Sequence, residues 1–370
     1  MKIQVNKTFV IIALGLATFT LGACGTTPGG TNLVGVAGQP TATTVPSEQT
    51  APSPEPTTPP IPETYGHIIF VSDRDGDERL YLTSPDGLEQ TRLTEFSSEE
   101  PRVSPDGTRV AFVSNADGNM DIYVLEIATH NVTRITDAPQ KDASPSWSPD
   151  GTRIAFESFR DGNFEIYMVN ADGSNTVRLT NDPAGDSHPV WSPVGNEIAF
   201  VSNRFGNSDI FLLTPNGTPA TLTTNSAPDS APAWSPDGNT LAFQTFSGEL
   251  SNICMIRRDG LNQRCITNNP SDYGAPVWSP DGKFLAANAK QNVGYGFNIF
   301  NVQDGSSIQL SAPGIDPRGN PVWSPEGTRL VFQAQSNGNM DLFTALIASN
   351  EFTNLTATSS YDGEPTWGIQ

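Results

Sequence analysis

The stretch "SWSPDGTRIAF", Ser146 to Phe156, decides the fold, because altered copies of it recur along the chain. They read "RVSPDGTRVAF" from Arg102, "VWSPVGNEIAF" from Val190, "AWSPDGNTLAF" from Ala233, "VWSPDGKFLAA" from Val277 and "VWSPEGTRLVF" from Val322. Their prolines stand at 105, 149, 193, 236, 280 and 325, a spacing of 43 to 45 residues. A fixed period in that range marks a solenoid or a propeller. Within each unit four short strands can be read. The first ends at the Trp, the second is "RIAFES"-like, the third "EIYMVN"-like and the fourth "TVRLT"-like. No stretch shows a sustained helical period, so the fold class is all-β, with four antiparallel strands per unit, which is one propeller blade.

Second strands centre on Phe70, Phe112, Phe156, Phe200, Phe243, Ala287 and Phe332, which predicts a seven-bladed β-propeller. The first unit lacks its own first strand, and a spare one stands at the other end of the chain, "EPTWGIQ", with Trp367 44 residues after Trp323. The C-terminal strand is therefore expected to pair with the N-terminal blade and close the ring, leaving no open edges. Ser-Pro-Asp-Gly supplies turn chemistry: Pro presets φ, Asp follows it well, and Gly accepts positive φ. Five of the six tryptophans fall just before that turn and Trp367 holds the same place in the spare strand, so all six are read as packing between blades.

At these residues the chain resembles the TolB-type propellers, bacterial relatives of WD-repeat domains whose units carry "PxWSPDGxxIAF…DIYvmnaDG…rLT". The resemblance covers Tyr65 to Gln370 and implies an interaction scaffold of the bacterial envelope. The same propeller type covers peptidases of the prolyl-oligopeptidase kind and forms the body of some pectin lyases. Departures from TolB itself are seven units where it has six, no N-terminal α/β domain, and a lipobox with a tether; its particular partners are therefore not carried over.

Residues 1–23 read as a lipoprotein signal peptide. Lys2 and Lys7 precede the apolar run Phe9 to Thr20, and Leu21-Gly22-Ala23-Cys24 resembles a lipobox whose Cys24 would be lipidated. Residues 24–64 contain no Lys or Arg and are rich in Pro, Thr and Gly. Such a segment buries too little to order itself and reads as a tether on the order of 35 Å in span. Residues 65–370 are the propeller. The expected location is exported and lipid-anchored, facing the periplasm or the cell exterior, with a monomer expected.

The net charge of -20 argues against nucleic acid and anionic lipid surfaces, which need clustered positive charge. A membrane contact is expected through the anchor alone. Cys254 and Cys265 flank "MIRRDGLNQR", whose Asp259-Gly260 reads as a hairpin turn, so the two lie opposite one another and are expected to form a disulfide. Too few His and Cys exist for a zinc site, and no cofactor or metal is expected. "DRDGDE" at Asp73, Asp75 and Asp77 has the wrong spacing for a calcium loop and reads as a hairpin. No G-x-S-x-G elbow occurs, and His67, His130 and His188 lie in different units.

Function is expected on the long-loop face, where connections such as "TDAPQKDASP", "TNDPAGDSHP", "TNNPSDYGAP" and "SAPGIDPRGNP" vary. Three residues before the repeated Pro stand Asp142, Asp186, Asp229 and Asp362, replaced by Tyr273 and Arg318 in blades six and seven. Arg74, Arg160 and Arg204 recur after second strands on the same face. These residues and His188 form the candidate channel-mouth site. The carboxylates and arginines read either as a ring of ion pairs between neighbouring blades or as a polar mouth biased by Tyr273 and Arg318. The reading is a non-catalytic envelope module binding a protein, small ligand or glycan. The alternative is a carbohydrate-active lyase or hydrolase with its site at the mouth.

Overall fold

The computed structural model describes residues 66–268, 271–290 and 294–368. The proposed leader, Cys24 and the tether lie outside them. Seven four-stranded antiparallel sheets are present, and no helix occurs among the described residues. Blade three is typical: Asp142–Trp147, Arg153–Ser158, Glu165–Asn170 and Val177–Arg178 pair in that order. Blades two, four, five, six and seven follow the same order in sequence. Blade one is completed from the far end of the chain. Its inner strand is Asp362–Trp367, which pairs with Ile68–Ser72, and Arg79–Thr83 and Gln90–Arg92 follow.

The repeated phrase builds a turn and a blade contact. In blade three the Ser148 hydroxyl donates to Asp150 at 2.5 Å, Asp150 accepts from the Thr152 backbone at 3.0 Å, and Gly151, at φ 64°, closes back on Ser148. The same carboxylate clip stands at Asp106, Asp237 and Asp281. The second-strand residues Phe70, Phe112, Phe156, Phe200, Phe243, Ala287 and Phe332 are fully buried. Each Trp packs across a blade boundary. The Trp147 indole N–H donates to the Arg102 carbonyl of the preceding blade at 2.9 Å. Trp234, Trp278 and Trp323 do likewise to Val190, Ala233 and Val277, each at 3.0 Å. Trp191 differs: its indole N–H has no hydrogen-bond partner, and its backbone N–H donates to the Ser146 hydroxyl oxygen at 2.9 Å.

The hairpins between second and third strands are clipped by their own carboxylates. Tyr81, Tyr123 and Tyr167 donate their hydroxyls to Asp75, Asp117 and Asp161. Burial and these bonds push the Tyr81 and Tyr167 hydroxyls up to about 12. Asp75, inside "DRDGDE", is therefore engaged by Tyr81 and by Arg92 at 2.9 Å. Cys254 and Cys265 face each other across the third and fourth strands of blade five and are joined by a disulfide.

Two outcomes follow. Deleting Tyr361 to Gln370 should leave Ile68–Ser72 as an unpaired edge and take Trp367 out of the core shared with Phe70 and Val331. Loss of a buried Trp costs about 3–5 kcal/mol, so the melting temperature should fall by several degrees or more; an unchanged value would contradict ring closure. Mass spectrometry of unreduced peptides from exported protein should find the Cys254–Cys265 link, and full alkylation of both thiols without reductant would refute it.

Candidate functional site at the channel mouth

The aspartates and arginines pair inside blades, which corrects the expectation of a ring between neighbours. Arg160 donates to both Asp142 oxygens at 3.1 and 2.9 Å and to the Ser158 hydroxyl at 2.8 Å. Its guanidinium lies over Phe156 and Tyr167, 5.7 and 4.5 Å from the ring centroids. Arg204 repeats this with Asp186, Ser202, Phe200 and Phe211, and Arg74 with Asp362, Ser72, Phe70 and Tyr81. The aspartate stands on the inner strand and the arginine just past the second, so one unit contains the whole motif. Asp142, Asp186, Asp229 and Asp362 are fully buried and are not offered to a ligand. Blade two has Ser98 at that position, and Phe96 fills the space above Phe112 and Tyr123. Blade five keeps Asp229 without an arginine. Asn225 donates to one oxygen at 2.8 Å, the other has no hydrogen-bond partner, and burial pushes the carboxyl up.

Tyr273 does occupy the aspartate position, opposite Ala289. It is half-buried, its ring meets Phe300 edge-on at 5.9 Å, and its carbonyl accepts from Gln244 at 2.6 Å. Arg318 does not occupy that position. It pairs with Gln333, as Ala143 pairs with Glu157, because one extra residue precedes Pro321 and places Pro317 where Asp142 would be. Arg318 is held by Asp316 at 2.6 Å, lies 5.2 Å from the Tyr295 ring of blade six, and leaves 43% of its side chain exposed.

Neighbouring blades are stitched around the channel by other residues. Six of the seven inner strands carry a bulge, and the residue before the Pro sits at positive φ in Glu100, Ser144, His188, Ala231 and Glu364. In four of these, Ala231 being the exception, the backbone N–H donates to an acceptor on the preceding blade. Glu364 accepts from Glu100, Glu100 from Ser144, Glu157 from His188 and Gln333 from Glu364, at 2.7–2.8 Å. In blade six, Asn288 donates to the Pro317 carbonyl at 3.1 Å. His188 projects into a channel cavity of about 450 Å³ bounded by Arg102, Pro145, Trp147, Pro189 and Trp191, and is 69% exposed.

These links crowd carboxylates at blades one and two. Glu99 is pushed up by burial and then by Glu364, Glu78 and Glu100. Glu364 reaches the water of the mouth, but the surrounding walls raise its pKa first; the Glu100 backbone N–H and Arg102 pull it down, the Glu100 and Glu78 charges push it up, and the net direction is upward. The Tyr361 hydroxyl beside them is pushed up to about 12, by burial and then by Glu364 and Glu78. Among the described residues, no three His, Cys, Asp or Glu side chains converge to hold a metal.

The folded state holds the Glu364 proton more tightly than the unfolded chain, so ionisation opposes folding. That penalty is complete above the folded pKa and vanishes as pH falls below the ordinary value. Glu364→Gln keeps the acceptor for Glu100 and removes the charge. Solvent screens much of that penalty at this exposed residue, so the variant's melting temperature should exceed wild type only slightly at neutral pH and match it below about pH 4. A loss of stability at neutral pH would refute this.

Residues 66–227 match the TolB beta propeller domain family. The Tol-Pal system protein TolB of Francisella tularensis subsp. mediasiatica is 34% identical over 85 residues, 22% of this chain and 18% of that one. The chain spans less than a fifth of the length of the curated relatives it matches. The crystal structure of TolB from Acinetobacter baumannii superposes with a TM-score of 0.55 at 21% identity, covering 84% of this chain and 68% of the other. An oligogalacturonate lyase in complex with manganese superposes with a TM-score of 0.65 at 16% identity, covering 76% and 86%. The family match lies on the same repeated turn, indole and hairpin that build the blades: over residues 66–227 the chain is β-propeller of the TolB type.

Proposed function

We propose that this propeller is a non-catalytic interaction module of the bacterial envelope, and that its long-loop face receives a protein partner with a basic contact surface at the channel mouth. The observation that carries the reading is the crowding of Glu78, Glu99, Glu100 and Glu364, two of which have their pKa values raised by burial and mutual repulsion. A cation arriving there relieves that repulsion, so binding is favoured by charge and weakened by salt. The repeated shape elements are spent on blade construction, as the aspartate–arginine pairs are, and this leaves the mouth as the chemically distinct surface. The TolB relatives support an envelope setting. The signal-like residues 1–23, Cys24 and the tether to residue 64 support export and lipid anchoring, with the propeller held away from the membrane.

A photo-crosslinking side chain introduced at exposed Glu78, on this face, should capture a partner in intact envelopes, and added salt should reduce the yield. The same group at Asp172, on an exposed short turn of the opposite face, should capture little. Capture from Asp172 alone would overturn the reading.

A further inference from the structure

Between blades five and six, on the side of the short turns, lies a cleft of about 430 Å³ bounded by Asp237, Thr240, Arg264, Trp278, Asp281 and Gly282. The corresponding place between blades two and three is filled by the protein itself. There Arg109 lays its guanidinium over the Trp147 ring, 4.9 Å from the centroid, donates to the Gly151 carbonyl at 2.7 Å and stands 3.8 Å from Asp106. Between blades three and four, Arg153 lies 4.8 Å from the Trp191 centroid, donates to Asn196 at 2.9 Å and stands 4.0 Å from Asp150.

The repeat places Thr240 where Arg109 and Arg153 stand, since each opens the second strand of its blade. A threonine side chain ends far short of the next blade's indole. The receiving groups nevertheless remain: Trp278 for Trp147, Gly282 for Gly151 and Asp237 for Asp106. Trp278 is half-buried, whereas Trp147 and Trp191 retain only 8% and 4% exposure. Asp237 has no cation within ion-pair distance among the described residues, and Ser235 and Asn239 hold its carboxyl below the usual range, so it stays ionised. The cations on the cleft wall are held by other groups. Arg257 bonds Asp259 at 2.7 Å, and Arg264 stays on the cleft wall, tied to the Val302 carbonyl there and not to Asp237 or Gly282.

We propose that the cleft between blades five and six is a binding site for a guanidinium group, which stacks on Trp278, donates to the Gly282 carbonyl and faces Asp237. Stacking of guanidinium on indole is favourable, and the three receiving groups are the ones the protein uses for its own arginine between blades two and three. The group can come from a free arginine-like molecule or from an arginine side chain of a partner; the chemistry is shared.

The test is a titration of the full chain with ethylguanidinium, read on the tryptophan indole N–H resonances, with Trp278 assigned from its loss in Trp278→Phe. A saturable shift of the Trp278 resonance is expected, with Trp147 and Trp191 unmoved. Thr240→Arg supplies the missing guanidinium from within, and should weaken binding tenfold or more. Asp237→Asn should weaken it at least threefold, and decides the matter if Thr240→Arg does not fold. Tighter binding of N-acetyl-arginine amide than of free L-arginine identifies a partner's side chain, and the reverse order a small molecule. No saturable shift in the wild type, or one undiminished in the variants, would overturn the proposal.

Discussion

The hydrogen bond from one blade's indole N–H to the inner-strand carbonyl of the blade before it is the contact on which the ring depends. It fixes register between sheets that share no backbone ladder, and it does so at a place where the indole body also fills the core. A buried aromatic of this size removes much apolar surface from water, but burial has no direction. The N–H adds direction, and an unmet donor there would cost about 1–3 kcal/mol. Trp191 shows the tolerance of the arrangement. Its indole donor is unmet, its backbone N–H donates to the Ser146 hydroxyl oxygen, and Arg153 covers its face.

Much of this was legible in the sequence. The period gave the blades, and the spare strand around Trp367 gave the closure. Asp259-Gly260 gave the pairing of Cys254 with Cys265. Less legible was anything that depends on which strand a repeated residue faces. Asp142 and Arg160 recur with the blade, and the same spacing suits a bond within one unit or between two; the Arg160 guanidinium, laid over Phe156 and Tyr167 of its own blade, is held there against Asp142 of that blade. Arg318 was misplaced because a single inserted residue before Pro321 moves it to a different ladder partner. The carboxylate crowd at the mouth was hidden by distance in sequence. Glu364 meets Glu100 across a separation of 264 residues, and ring closure alone brings them together. The repeated Glu before Pro, in "EEP" and "GEP", was the available signal.

The two faces divide the chemistry. On the long-loop face, carboxylates that Arg102 and Lys141 only partly offset gather at blades one and two, while Arg318 and Tyr295 stand at the boundary of blades six and seven. On the short-turn face, the repeat shows its own omissions: where Arg109 and Arg153 cap an indole, Thr240 leaves one uncovered. In both places function is read from departures against a background that repetition makes easy to see.

Hydrogen exchange at the tryptophan indoles tests the central claim most directly. The account predicts that the Nε1–H groups of Trp147, Trp234, Trp278 and Trp323 exchange only when the ring opens globally, with protection rising together as stability rises. Exchange of these four at the rate of solvent-exposed indoles, in a protein that remains folded, would contradict it.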